Sequence, residues 1–412
     1  MPAKGLSSRF STWLLRPYLD LGPCQAGPLH TLAVEEYWRA FIDLDSPLFV
    51  SQRALPPGFR LQLEKEAGEP YVCTHPSELG EGFRTARWRA LCDALRDWDG
   101  LSGHRKCRLA LLLHGMCLYR PLLTLIPSHL NVCEASPCDV DLAFWRASAG
   151  FMDGLRHRTA EYAHADLSVF EDIALNAHQA TVRFNAVAIV FVHKAKTHAP
   201  LPDLAQWTMH FENTLSLAIA GADDFTKELF TSRFFRGLGF LPQRRGDKKE
   251  VMRIMDLAES HALRMRPATP AQEILYRENL HALMESRTKE ALWLEDKEQS
   301  LARSLKVIEV DPLDSKAWIE RGEVHFHRKE LQEAAQAYAT AAMLGPPASA
   351  AGRHMAAVCF RELGQDLLAS LFFRDTLEID QFGISPREEI RDLPDLPVLG
   401  AIKEWSRRTA PL

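Results

Sequence analysis

The stretch HRTAEYAHADLSVFEDIALNAH, residues 157–178, concentrates carboxylates and imidazoles: Glu161 precedes His164 by three positions, and Glu171 precedes His178 by seven. Seven residues make almost two helical turns, so a continuous helix puts Glu171, His178 and Asn185 on one polar line, bordered by Ala174, Leu175, Val182 and Ile189. Carboxylates and neutral imidazoles projecting inward from facing helices suit iron or manganese. Glu161, His164, Glu171 and His178 are therefore candidate metal ligands. The competing reading is a set of buried, hydrogen-bonded histidines and surface carboxylates. Iron or another divalent metal is the cofactor implied by the first reading; no other cofactor is indicated.

The Glu-x6-His spacing of Glu171 and His178 resembles one ligand-bearing helix of the heme-oxygenase-like diiron oxidases. That family also needs carboxylate and His ligands from other helices, and the resemblance implies an oxygenase or oxidase. Common catalytic signatures are missing: there is no phosphate-binding GxxxxGK, no GxGxxG after a strand, no HExxH and no GxSxG. No catalytic residue is assigned on this basis. Cys133 and Cys138 are close enough in sequence to pair as thiols, whereas the eight cysteines as a whole form no disulfide framework. The basic run QRRGDKKE at 243–250, preceded by Arg233, Phe234, Phe235 and Arg236, could meet phosphates and stack on bases, but the favoured reading is that a solvated inter-helix loop explains the charges and helix packing explains the Phe pair.

The elements that must carry these groups are helices. Trp88, Leu91, Leu95 and Trp98 recur at helical spacing up to a stop near Gly100, and a second helix is expected from Gly103 towards Tyr119, with Pro121 ending or kinking it. Another helix is expected near Asp139. Ser168 and Glu171 have capping-box spacing, which predicts a helix from there to Lys194 or beyond. Pro202, with Leu204, Trp207, Phe211 and Leu215, opens a further amphipathic helix. Thr269, Pro270 and Gln272 repeat the start signal. The expected fold class is all-α.

An internal period is clearest in AWIERGEVHFHRKELQEAAQAYATAAMLGP. With Ser315 as the first position of a unit of about 34 residues, Trp318, Gly322, Ala334, Tyr338, Ala341 and Pro346 occupy places where tetratricopeptide repeats favour those residue types. The segment resembles that family. Ala357, Gly364, Ala369 and Phe373 follow the same order less fully, and the preceding unit keeps mainly Val310, Asp311 and Pro312. The resemblance implies stacked antiparallel helix pairs, with small residues permitting close approach and a concave surface that binds a protein or peptide partner. Lys316, Ile319, Glu323, Phe326 and His354 are the candidate groove residues, against the alternative that they are solvated or packed between repeats. The Lys and Asn clamp with which some of these domains hold a terminal carboxylate is replaced by Ile319 and Glu323.

Three segments are expected: a helical domain over 1–265, a repeat domain over 270–385 and a C-terminal tail over 386–412. A net charge of -5 in 412 residues gives no general attraction for nucleic acid or anionic membrane. The apolar runs at 109–113 and 186–192 are too short to cross a bilayer, and the N-terminus has no continuous apolar stretch of a secretory signal. The expectation is a cytoplasmic adaptor or accessory subunit built on helical repeats, or, as the alternative, a metal-dependent oxidative enzyme whose repeats recruit a partner.

Overall fold

The computed structural model describes residues 77, 81, 86–115, 118–156, 167–312, 314–344, 349–379, 384–394 and 397–408. Among the described residues the chain is all-α, with no strand and no helix long and apolar enough to cross a membrane. In chain order the helices are α1 (Ala86–Arg96), α2 (Gly103–Gly115), α3 (Tyr119–Leu125), α4 (Pro137–Arg156), α5 (Ser168–Asn176) and α6 (Ala180–Lys196). Next come α7 (Leu201–Ile219), α8 (Asp224–Leu238), α9 (Phe240–Arg244), α10 (Lys248–Arg264), α11 (Pro270–Trp293) and α12 (Lys297–Val310). The last are α13 (Ser315–His327), α14 (Leu331–Leu344), α15 (Ser349–Glu362), α16 (Asp366–Ile379), α17 (Ile384–Arg391) and α18 (Pro397–Arg408).

Trp88, Leu91 and Leu95 share the buried face of α1, and Trp98 closes it from a 3-10 turn. Two start and stop signals play out differently from expectation. The helix from Gly103 stops at Gly115, and Pro121 lies inside the first turn of α3, where its missing amide has no helical partner to lose. The helix from Ser168 does not reach Lys194. It ends at Asn176, Ala177 is extended (φ -66, ψ 141), and a new helix starts at Ala180. Leu167 is the cap residue of α5, with no side-chain cap, so the Ser168–Glu171 box does not form. Arg183 Nε instead bonds the Ala174 carbonyl at 3.1 Å, the acceptor that the amide of residue 178 would have used in a continued helix. At Thr269 the signal holds: its hydroxyl accepts from the Gln272 amide, and Gln272 accepts from the Ala268 amide at 2.8 Å.

The downstream helices come in pairs closed by one type of turn. Glu295, Lys329 and Gly364 adopt φ of 67°, 67° and 72° after α11, α13 and α15. In each case the next amide reaches five residues back: Asp296 to Ala291, Glu330 to His325 and Gln365 to Phe360, at 2.8 to 3.0 Å. These left-handed positions lie 34 and 35 residues apart. Thr288, Gly322 and Ala357 precede them by seven residues, Ser300, Ala334 and Ala369 follow by five, and Ser304, Tyr338 and Phe373 follow by nine; all are buried. A Cβ on Gly322 would stand 2.6 Å from the Tyr338 ring, and one on Gly352 would stand 2.7 Å from the Ala342 amide nitrogen, so α13, α14 and α15 approach as closely as glycine permits. The Trp318 indole donates to the Pro312 carbonyl at 2.8 Å and holds the preceding loop.

The same stacking extends upstream. Helices α8, α10, α11, α12 and α13 share a core containing Leu229, Ala258, Leu283, Val307 and Ala317, and Ile274 of α11 also enters the core built by α1 to α8. Packing therefore runs without a gap across residues 265–270. Arg287 reinforces it, bonding Glu290 (2.8 Å), Asp256 (2.7 Å) and Glu259 (3.1 Å) from α10 and α11. In the segment expected as a tail, α17 and α18 pack on α16, and Ile390 joins the last core. One helix of each pair forms an inner series: α4 packs on α6, α6 on α8, α8 on α11, α11 on α13 and α13 on α15, and α15 returns to α4. The inner helices thus form a ring, with α5, α7, α9 and α10, α12 and α14 between them in sequence and α16 after the last.

A non-glycine residue in the left-handed region carries a steric penalty that glycine lacks. Glu295→Gly is expected to raise unfolding stability by about 1 kcal/mol. Urea denaturation measures it, and a neutral or destabilising result contradicts the turn geometry.

Candidate functional site

Inter-axial spacings of about 8–10 Å, around a ring of six helices, put each axis roughly that distance from the centre. Helices with their side chains are about 10–12 Å wide, so roughly 2–5 Å of radius remains at the centre, a narrow space bordered by inward side chains. The side chains that converge electrostatically from these helices are ionisable: Lys196 at the end of α6, Arg236 on α8, Glu285 and Lys289 on α11, and Lys316, Glu320 and Glu323 on α13. Lys289 Nζ lies 2.8 Å from Glu320 Oε1 and 3.6 Å from Glu285 Oε1. Its side chain keeps 48% of its surface open to water, whereas the Glu320 side chain keeps 6%.

Burial opposes the Lys289 charge, but the carboxylates of Glu320, Glu285 and Glu323 outweigh it and hold the ammonium above its ordinary range. Burial raises the Glu320 carboxyl; Lys289 pulls it down while Glu285 and Glu323 push it up, with a net upward shift. Lys289 therefore stays charged, and Glu320 is the member of the pair closer to neutrality. Lys196 is lowered to about 8: crowding by protein comes first, then the charge of Lys289, with Glu285 opposing and Lys316 and Arg236 adding. Water still reaches its exposed side chain. Lys196 Nζ also stands 5.3 Å over the Phe240 ring.

One neutral group borders this lining. His114 of α2 is 1% exposed, its Nε2 is 2.9 Å from Ser148 Oγ of α4, and the rings of Trp145 and Tyr119 lie at 5.0 and 5.4 Å. Burial, then the charge of Lys316, depress its pKa to about 3.

Of the candidate groove residues, Lys316 and Glu323 belong to this ionisable lining. Ile319 and Phe326 pack against the core formed by Tyr338, Phe360 and Phe372. His354 is 7% exposed, with its ring 5.7 Å from Phe373. Glu171 pairs with Lys194 at 3.1 Å, which also binds Asp203 at 3.2 Å. His178 is exposed in the break between α5 and α6, and Glu161 and His164 lie outside the described residues. Among the described residues no group of three His, Cys, Asp or Glu side chains is placed to hold a metal ion. In the basic connector, Arg244 donates to the Ala195 and Ala199 carbonyls and closes the end of α6, while Arg233 and Phe234 are buried. Lys196, Glu285, Lys289 and Glu320 escaped the sequence reading. Lys289 had a signal, since it stands 34 residues before Glu323 and so shares its register.

No protein-family model matches the chain, and no curated protein matches it.

A histidine held neutral in the fold, but free to protonate when unfolded, removes stability in acid. The loss begins as pH falls below about 6.5 and continues towards about 3, at up to roughly 1.4 kcal/mol per pH unit. His114→Gln is expected to flatten the stability profile over that window in pH-dependent urea unfolding. Parallel profiles for the two proteins contradict a neutral, buried His114.

Proposed function

We propose that this chain is a helical-repeat interaction protein, a cytoplasmic adaptor or accessory subunit whose inner helices receive a charged, extended segment of a partner protein. The observation that carries the reading is the ionisable lining of Lys196, Lys289, Lys316, Glu285, Glu320 and Glu323, whose charges reach one another across the inner helices while Lys196 and Lys289 stay open to water. Repeat proteins stack helix pairs to build an extended concave surface, and side chains on that surface select the occupant. The resemblance of residues 315–348 to tetratricopeptide repeats supports the same conclusion, since Gly322 and Tyr338, which help carry it, meet where α13 approaches α14 too closely to admit a Cβ.

Charges of both signs suit register selection more than raw affinity. A segment with a misplaced charge meets a like charge in a partly desolvated site, which costs more than a lost contact. The limited central space favours a single extended strand of polypeptide over a folded domain.

A photo-crosslinking amino acid at position 316 or 323 is expected to capture one recurring partner segment in cells, identified by mass spectrometry. The same probe at exposed Lys297, on α12, is expected not to capture it. Equal capture from both faces, or none from the interior, contradicts the proposal.

A further inference from the structure

The N-terminal end of α2 carries a chemical grouping unrelated to the ring interior. Cys138, in the first turn of α4, sits over the first turn of α2: a Cβ on Gly103 would stand 3.2 Å from Cys138 Cβ and 3.4 Å from its Sγ. Glycine at 103 is what leaves room for the thiol. His104 Nδ1 is 3.7 Å from Cys138 Sγ, within range of a sulfur hydrogen bond. On the next turn of α2, the Cys107 thiol donates to the Cys138 carbonyl at 3.3 Å. Both cysteines are free thiols; Cys107 is 2% exposed, whereas Cys138 is half-buried.

The two sulfurs differ in what can reach them. Burial, reinforced by Asp141, by Cys138 itself and by Asp139, pushes the Cys107 thiol well above the ordinary cysteine range and keeps it protonated. Cys138 is open to a small solute and has a base at its sulfur. Sequence proximity pairs Cys138 with Cys133, but Cys107 is the thiol that the fold brings against it.

We propose that Cys138 and Cys107 form a peroxide-oxidisable dithiol, with Cys138 as the sulfur that reacts first, His104 as its proton acceptor and Cys107 as the thiol that closes the disulfide. In the first step Cys138 Sγ attacks one oxygen of hydrogen peroxide. The S–O bond forms and the O–O bond breaks, and the thiol proton passes through His104 to the departing hydroxide, which leaves as water. In the second step Cys107 Sγ attacks Cys138 Sγ. The S–S bond forms and the S–O bond breaks, and the Cys107 proton leaves with the hydroxide as a second water. Two thiols lose two electrons in total, and one peroxide is reduced to two waters.

The bridge would tie α2 to α4, the helix on which α15 closes the ring. It closes a long loop, so it restricts the unfolded chain and raises the melting temperature. Because Cys107 must lose its proton to attack, the second step accelerates as pH rises.

The experiment is peroxide treatment of the reduced full-length protein, followed by non-reducing peptide mapping and a dimedone trap for sulfenic acid. The expected result is a Cys107–Cys138 disulfide and a melting temperature several degrees above that of the reduced protein. In Cys107→Ser, dimedone labels Cys138 and the melting shift disappears. His104→Gln slows loss of the Cys138 thiol roughly tenfold or more. The wild-type map stands even if a variant fails to fold. A Cys133–Cys138 bridge, oxidation confined to Cys133, or a Cys138 thiol that survives peroxide overturns the proposal.

Discussion

Gly322 lies against the face of Tyr338 with no room for even a methyl group between them. The contact fixes how near α13 comes to α14 and how the two helices are rotated about their axes. Rotation matters as much as distance. With Gly322 turned to the neighbouring helix, Lys316, Glu320 and Glu323 fall on the face that meets Lys289 and Lys196. The equivalent positions in the adjacent pairs are Thr288 with Ser304, and Ala357 with Phe373, all buried, so packing repeats with different side chains and the same register. Close packing tolerates little change in volume, which makes this register stiff.

From that register follow the ring and its contents. Apolar faces are consumed between pairs, in three successive cores, and the inner helices are left with polar side chains that no core accepts. Burying charge is costly unless it is paired. The interior meets that cost in two ways: Lys289 is placed between Glu285 and Glu320, and other groups remain open to water. His114 meets it by staying neutral beneath aromatic rings. A partner that brings the opposite charges would complete a field the fold leaves unfinished.

The helical class and the period around Ser315 were legible because they depend on local chemistry: small residues at a helix contact, a threonine cap at 269 and a glycine in the left-handed turn at 364. The break at Ala177 was not, because Arg183 supplies the carbonyl's partner from nine residues away and no local breaker marks the place. Extending the helical line from Glu171 through His178 to Asn185 failed for that reason. The interior lining was legible only in part. Lys316 and Glu323 follow from their register on one helix, but Lys196 and Lys289 come from other pairs, and no pattern within one helix shows which helices will meet. The return of α15 to α4 depends on the summed rotation of every intervening pair.

The register itself is tested most directly by a double-mutant cycle on Gly322 and Tyr338, read by urea unfolding. In the wild-type background Gly322→Ala is expected to cost about 2 kcal/mol by overpacking. After Tyr338→Ala the same change is expected to cost nothing, or to stabilise through the roughly 1 kcal/mol advantage of alanine over glycine in a helix. A coupling of about 2 kcal/mol or more is the predicted result. Costs in the two backgrounds that agree within about 0.5 kcal/mol would show that the two residues do not touch, and would contradict the packing from which the interior is derived.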